Sequence, residues 1–130
     1  MFTISQIKEA HTKVKSGADF PRYIKDITAL GVKSYSTYVT DGHTEYKGTD
    51  GFSTNSDAKY GGLIIADKSD NEKFKQYLKA HQQGQSDYAT FCNQSAQTGV
   101  EKWVVDTTEM TCIYYDKSGK MMLSEIIPYV

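Results

Sequence analysis

The stretch GVKSYSTYVTDGHTEYK, residues 31–47, decides the fold. Before it, apolar residues recur at helical spacing; within it the period changes and Tyr, Val and Thr dominate. VKSYSTYVT (32–40) reads as a strand. Asp41-Gly42 is a type I′ hairpin signal, and His43 to Lys47 returns as a second strand. Residues 48–62, GTDGFSTNSDAKYGG, read as a polar, Gly-rich loop, and Leu63 to Ala66 as a short apolar strand.

Two helices precede this stretch. The first is predicted from Ile4 to Ser16. Thr3 and Gln6 make a capping box, Ile4, Ile7, His11 and Val14 share a face, and Gly17 ends it in the left-handed region. In the second, Asp19 is the cap, Pro21 suits the first turn, and Phe20, Ile24, Ile27 and Leu30 form the stripe up to Gly31.

Residues 68–130 read in the same order. Ser69 with Glu72 caps a helix faced by Phe74, Tyr77, Leu78 and His81 and stopped by Gly84. Ser86 caps the next, faced by Tyr88, Phe91, Cys92 and Ser95 and stopped by Gly99. VEKWVVD (100–106), MTCIYYD (110–116) and KMMLSEII (120–127) are strands, with Ser118-Gly119 in the last turn. Displaced by 68 residues, Tyr23 meets Phe91, Tyr35 meets Trp103, Tyr46 meets Tyr114, and Gly31-Val32 meets Gly99-Val100. At a displacement of 62, Ile64-Ile65 meets Ile126-Ile127, which puts about six extra residues in the 48–62 loop. The expectation is one α+β domain over 1–130. It would be made of two similar ααβββ halves, 1–67 and 68–130, forming a mostly antiparallel sheet with helices on one face. A pseudo-two-fold axis would pass through the sheet.

Composition excludes some functions. Residues 1–67 hold 8 charges of each sign, and residues 68–130 hold 7 basic and 8 acidic ones. Arg22 is the single arginine. Neither half is basic enough to follow a phosphate backbone, so no nucleic-acid partner is expected. The two cysteines, Cys92 and Cys112, form no CxxC pair and have no metal-like spacing with histidine. With no signal peptide and no apolar run of about 20 residues, the expectation is a reduced cytoplasmic protein without membrane contact.

The segments LGVKSYSTYVTDG (30–42) and TGVEKWVVDTTEMTCIYYDKSG (98–119), with the total length, resemble the YbcV-like family of bacterial proteins, often labelled "phage envelope protein". The resemblance spans essentially the whole chain. It implies an α+β fold and a bacterial or prophage setting, and it carries over no catalytic residues.

Several residue groups carry chemistry, each with a plainer reading beside it. His11 and His81, similarly placed on two helix faces, could act as ligands or as an acid–base pair, or sit as half-buried histidines with one nitrogen bonded. Asp41, His43 and Glu45 could combine two carboxylates with a histidine, or form a solvated hairpin tip. Asp106, Glu109 and Asp116 offer too few oxygens for a cation. Both cysteines read as small buried hydrophobes. The 48–62 loop is longer than ordinary hairpin connections, which favours function or flexibility. The ten tyrosines include Tyr35, Tyr38, Tyr46, Tyr60, Tyr114 and Tyr115 on strands or beside that loop, where they could serve an interface or cross-strand packing.

The leading expectation is a non-enzymatic binding protein. Its contact surface would be an open, Tyr-rich sheet face with the 48–62 loop, drawing on Tyr38, His43, Tyr46, Asp50, Asp57, Lys59 and Tyr60 for a protein or small-molecule partner. Homodimerisation through that face or an edge strand is expected alongside it. No catalytic residue, cofactor or metal is assigned. The alternatives are a small-molecule enzyme with a pocket between the halves, using a histidine and a carboxylate, and a structural prophage protein.

Overall fold

The computed structural model describes residues 2–15 and 17–128. Helices α1 (Ile4–His11) and α2 (Phe20–Leu30), joined through a 3-10 turn at Gly17–Asp19, lead into strands β1 (Ser34–Tyr38), β2 (Thr44–Lys47) and β3 (Ser53–Asn55). Helices α3 (Asn71–Gln82) and α4 (Tyr88–Gln97) then lead into β4 (Val100–Asp106), β5 (Thr111–Asp116) and β6 (Met121–Ile126). The molecule is thus α+β, with four helices and one six-stranded sheet in the order β3-β2-β1-β4-β5-β6. Every neighbouring pair of strands is antiparallel.

Strand alternation sorts the side chains. Tyr35 and Thr37 of β1, Thr44 and Tyr46 of β2, Trp103 and Val105 of β4, and Cys112 and Tyr114 of β5 are buried on the face that meets the helices. Ser36, Tyr38, Glu45, Lys102, Val104 and Ile113 lie on the opposite face, half-buried. The core is filled from the helices by Ile24, Ile27 and Phe74, and from the strands and connections by Val32, Val39, Val100 and Val105. Burying a side chain such as Phe74 completely is worth about 1.5–3 kcal/mol.

Two registers match. Tyr35 faces Tyr46 across β1–β2, and Trp103 faces Tyr114 across β4–β5. At the centre, Ser36 faces Val104 across β1–β4.

The structure corrects several expectations. The first helix ends at His11, with Thr12 as C-cap. The Thr12 hydroxyl bonds back to the Glu9 carbonyl at 2.6 Å, and the Lys15 N–H turns to the Asp19 carboxylate at 2.9 Å, so the chain leaves the helix early. The expected end at Ser16 lies outside the described residues, and Gly17 opens the 3-10 turn instead of closing a helix. Helix caps shift by one residue: Asp70, not Ser69, accepts from the Lys73 N–H, and Asp87, not Ser86, from the Thr90 N–H. A carboxylate outcompetes a neighbouring hydroxyl for these donors.

The type I′ turn is not at Asp41-Gly42. There only Gly42 has positive φ, and residues 39–42 form a four-residue loop in which the Gly42 N–H reaches the Tyr38 carbonyl at 2.8 Å. Asp50 (φ 55) and Gly51 (φ 76) both take the left-handed conformation that type I′ requires, and the Phe52 N–H closes the turn onto Thr49 at 3.1 Å. The expected loop therefore contains β3, and Leu63 to Ala66 is no strand. That segment crosses the strand ends instead, with Leu63 N–H bonded to Thr40 and Ala66 N–H to Ala96. Ile65 is buried, but Ile64 is 92% exposed. The equivalence of Ile64-Ile65 with the last strand, and the six extra residues it required, fall with this.

Candidate functional site

The helices do not close over the whole inner face of the sheet. A cavity of about 930 Å³ remains between the sheet and the helix pairs α1–α2 and α3–α4, within the size range of small-molecule sites. Tyr35, Thr37, Thr44, Tyr46, Trp103, Cys112 and Tyr114 line it from the strands. Ile7, His11, Val14, Phe20 and Tyr23 line it from the first helix pair, and Leu78, His81, Tyr88 and Phe91 from the second.

Hydroxyl groups form a chain along the β1–β2 side. The Thr37 and Thr44 hydroxyls are 3.0 Å apart, and the Ser56 hydroxyl accepts the Thr44 N–H at 3.0 Å. Burial holds the Tyr46 phenol above its usual range, although hydrogen bonds from Tyr23 and Thr44 oppose the shift. The Tyr23 phenol is raised mainly by burial and further by Tyr46. These phenols stay protonated at neutral pH and act as donors and acceptors, not charges.

The two helix histidines reach this cavity from opposite sides. The His11 ring meets Tyr23 edge-on at 5.3 Å, and the His81 ring stacks on Phe91 at 4.5 Å. His81 Nδ1 lies 3.0 Å from the Ser86 carbonyl, which can only accept, so Nδ1 carries the proton in that bond. The His11 pKa is lowered, first by burial and then by the Lys59 ammonium. Burial also pushes the thiols up, Cys112 to about 12, so neither cysteine is an activated nucleophile.

The residues expected to share one surface are divided among five places. Tyr46 and Lys59 line the cavity. Tyr46 is buried on the inner face because it stands opposite Tyr35, so it cannot belong to an open sheet face. Tyr38 and His43 are on the outer face, their rings stacked at 4.6 Å, with the Lys102 ammonium 5.8 Å from the Tyr38 ring. Tyr60 packs under the hairpin, its hydroxyl donating to the Val39 carbonyl at 2.6 Å. Asp50 sits in the β2–β3 turn, and Asp57 is exposed on the following segment. The tyrosines split likewise: Tyr35, Tyr46 and Tyr114 face inward, while Tyr38 and Tyr115 face outward.

A close histidine–carboxylate pair exists at the hairpin, where His43 Nδ1 is 2.5 Å from Asp41 Oδ1. It lies outside the cavity wall. Within the wall, neither His11 nor His81 forms an ion pair with a carboxylate among the described residues. Among the described residues, no three His, Cys, Asp or Glu side chains gather to hold a metal and no helix is long and apolar enough to cross a membrane.

Residue reading alone missed Tyr23, Thr37, Thr44 and Trp103 as site residues. A signal was present in the 68-residue displacement, which pairs Tyr23 with Phe91, Tyr35 with Trp103 and Tyr46 with Tyr114, all six now in the cavity wall.

A family model described as "Protein of unknown function (DUF1398)" matches residues 8–126, and the chain belongs to that family. No curated protein matches the chain.

Proposed function

We propose that this member of the family binds a small, largely apolar molecule in the cavity between its helix pairs and the sheet. The observation that carries this reading is the cavity itself, about 930 Å³ and walled chiefly by aliphatic and aromatic side chains. Apolar side chains lining an open pocket of this size stay in contact with water unless a ligand covers them. The few polar groups placed along one side suit orientation of a ligand more than catalysis. The close histidine–carboxylate pair at the hairpin faces away from the cavity, which favours binding over proton-transfer chemistry.

The site also fits an origin by internal duplication. The Tyr35–Tyr46 and Trp103–Tyr114 registers are related by the 68-residue displacement, and so are the two ends of the Ser36–Val104 pair. On this reading the ligand occupies the pseudo-two-fold axis, where duplication leaves two half-sites facing one another.

Titration with N-phenyl-1-naphthylamine, a neutral apolar dye that brightens out of water, tests the reading. One saturable site per chain is expected. Val14→Trp, which adds bulk from a half-buried position in the wall, should abolish that site while the protein stays folded. Absence of saturable binding to the unaltered chain, or binding untouched by Val14→Trp, would overturn the proposal.

A further inference from the structure

We infer that the ligand is an anion with an apolar, ring-bearing body, its charged end held between Lys8, His11 and Lys59 and its body against Leu78, Phe91 and Trp103. This rests on the binding reading above and specifies its ligand.

The cavity is polarised by the origin of its walls. All three lysines that line it, Lys8, Lys15 and Lys59, come from residues 1–67, and both carboxylates, Asp87 and Glu125, from residues 68–130. The carboxylates are already engaged. Asp87 caps α4 through the Thr90 N–H at 2.7 Å, and Glu125 accepts from the Gln82 side chain at 3.0 Å. Lys8 and Lys59 form no ion pair among the described residues. Lys59 Nζ reaches only the Gly42 carbonyl, at 3.1 Å.

These cations also work against each other. Lys59 loses basicity first through burial; Cys92 opposes this and Lys8 adds a smaller lowering, and the Lys59 charge in turn lowers the His11 pKa. An anion placed among the three would turn mutual repulsion into attraction. Three pairs of neutral groups follow the same division. At positions 68 apart, Tyr23, Tyr35 and Thr44 on the cationic side stand where Phe91, Trp103 and Cys112 stand on the other. At these positions the hydroxyls stand with the cations, while Ser86, Tyr88 and Tyr114 bring hydroxyls to the far wall as well.

Trp103, the single tryptophan, lines the cavity and reports occupancy by its own fluorescence. The test titrates the full chain at low salt with three molecules of one shape: 4-phenylbutyrate, 4-phenylbutanol and 4-phenylbutylammonium. None absorbs where tryptophan alone is excited. The anion should bind roughly 5-fold tighter than the alcohol, as for one or two partly exposed ion pairs, and the ammonium most weakly. Lys59→Met and Lys8→Met should each erode the anion's advantage and spare the alcohol, while Lys13→Met, just past the end of α1 and outside the cavity wall, should change nothing. Three equal affinities, or preference for the ammonium, would leave the binding site standing and overturn the charge assignment. If none of the three perturbs Trp103, the binding reading fails and this inference with it.

Discussion

At the scale of single residues, the glycines separate backbone strain from steric crowding. Gly99 (φ +91) and Gly119 (φ +85) are both left-handed. A Cβ on Gly119 would meet nothing within 4 Å, whereas one on Gly99 would stand 2.9 Å from Ser69 Cα and 3.1 Å from the Lys68 carbonyl. These neighbours are backbone and cannot rotate away. Gly119→Ala should therefore cost about 1–2 kcal/mol for its left-handed conformation alone. Gly99→Ala adds overpacking of about 1–3 kcal/mol. Urea denaturation of both variants checks the ordering, and equal midpoints would show that the α4–β4 junction yields freely. Such residues were legible in outline only. Gly31, Gly84 and Gly99 were read as helix stops, and all three have positive φ. The two Asp-Gly pairs look alike on paper. Position 50–51 takes the type I′ turn because the β2–β3 register, with Lys47 opposite Ser53, leaves it the short connection.

At the scale of elements, the second-half strands and the second helix were legible because their patterns are long and their stops strong. β3 was not: three residues, Ser53–Asn55, carry too little periodicity to stand out from a polar loop. Leu63–Ala66 misled for the opposite reason, an apolar run that spans a connection and buries Ile65 while leaving Ile64 in solvent. Joining the two strand triplets was beyond the sequence, since β1 and β4 are far apart in the chain. The connection depends partly on Thr107, buried just after β4. Its N–H donates to the Lys33 carbonyl at 3.0 Å, and its hydroxyl lies 2.8 Å from both the Val32 and Lys33 carbonyls, just before β1. Thr107→Val keeps the shape and removes the hydroxyl, leaving the Val32 carbonyl short of a donor while Lys33 keeps the Thr107 N–H. It should cost about 1–3 kcal/mol. Thr107→Ser should recover most of that, and thermal melts of the pair decide it. Equal loss in both variants would mean that the methyl contact, not the hydrogen bond, makes the joint.

At the scale of the whole molecule, the cavity was the least legible feature, because a void is a property of how layers meet and leaves no residue of its own. Six of its wall residues recur at the 68-residue displacement, but an aromatic floor reads the same whether helices fill it or stand off it. The cavity also sets how stability responds to a ligand. A molecule that occupies it in the folded chain and has no affinity for the unfolded one stabilises by mass action, by about 2.7 kcal/mol at a free concentration of 100 times Kd. For a chain of 130 residues this corresponds to a rise in Tm on the order of 10 °C. Thermal melts with increasing N-phenyl-1-naphthylamine should climb logarithmically with free dye and remain flat for Val14→Trp. Melting temperatures that ignore a dye shown to bind would place it on the unfolded chain or equally on both states, and the cavity between the helix pairs would no longer account for the binding.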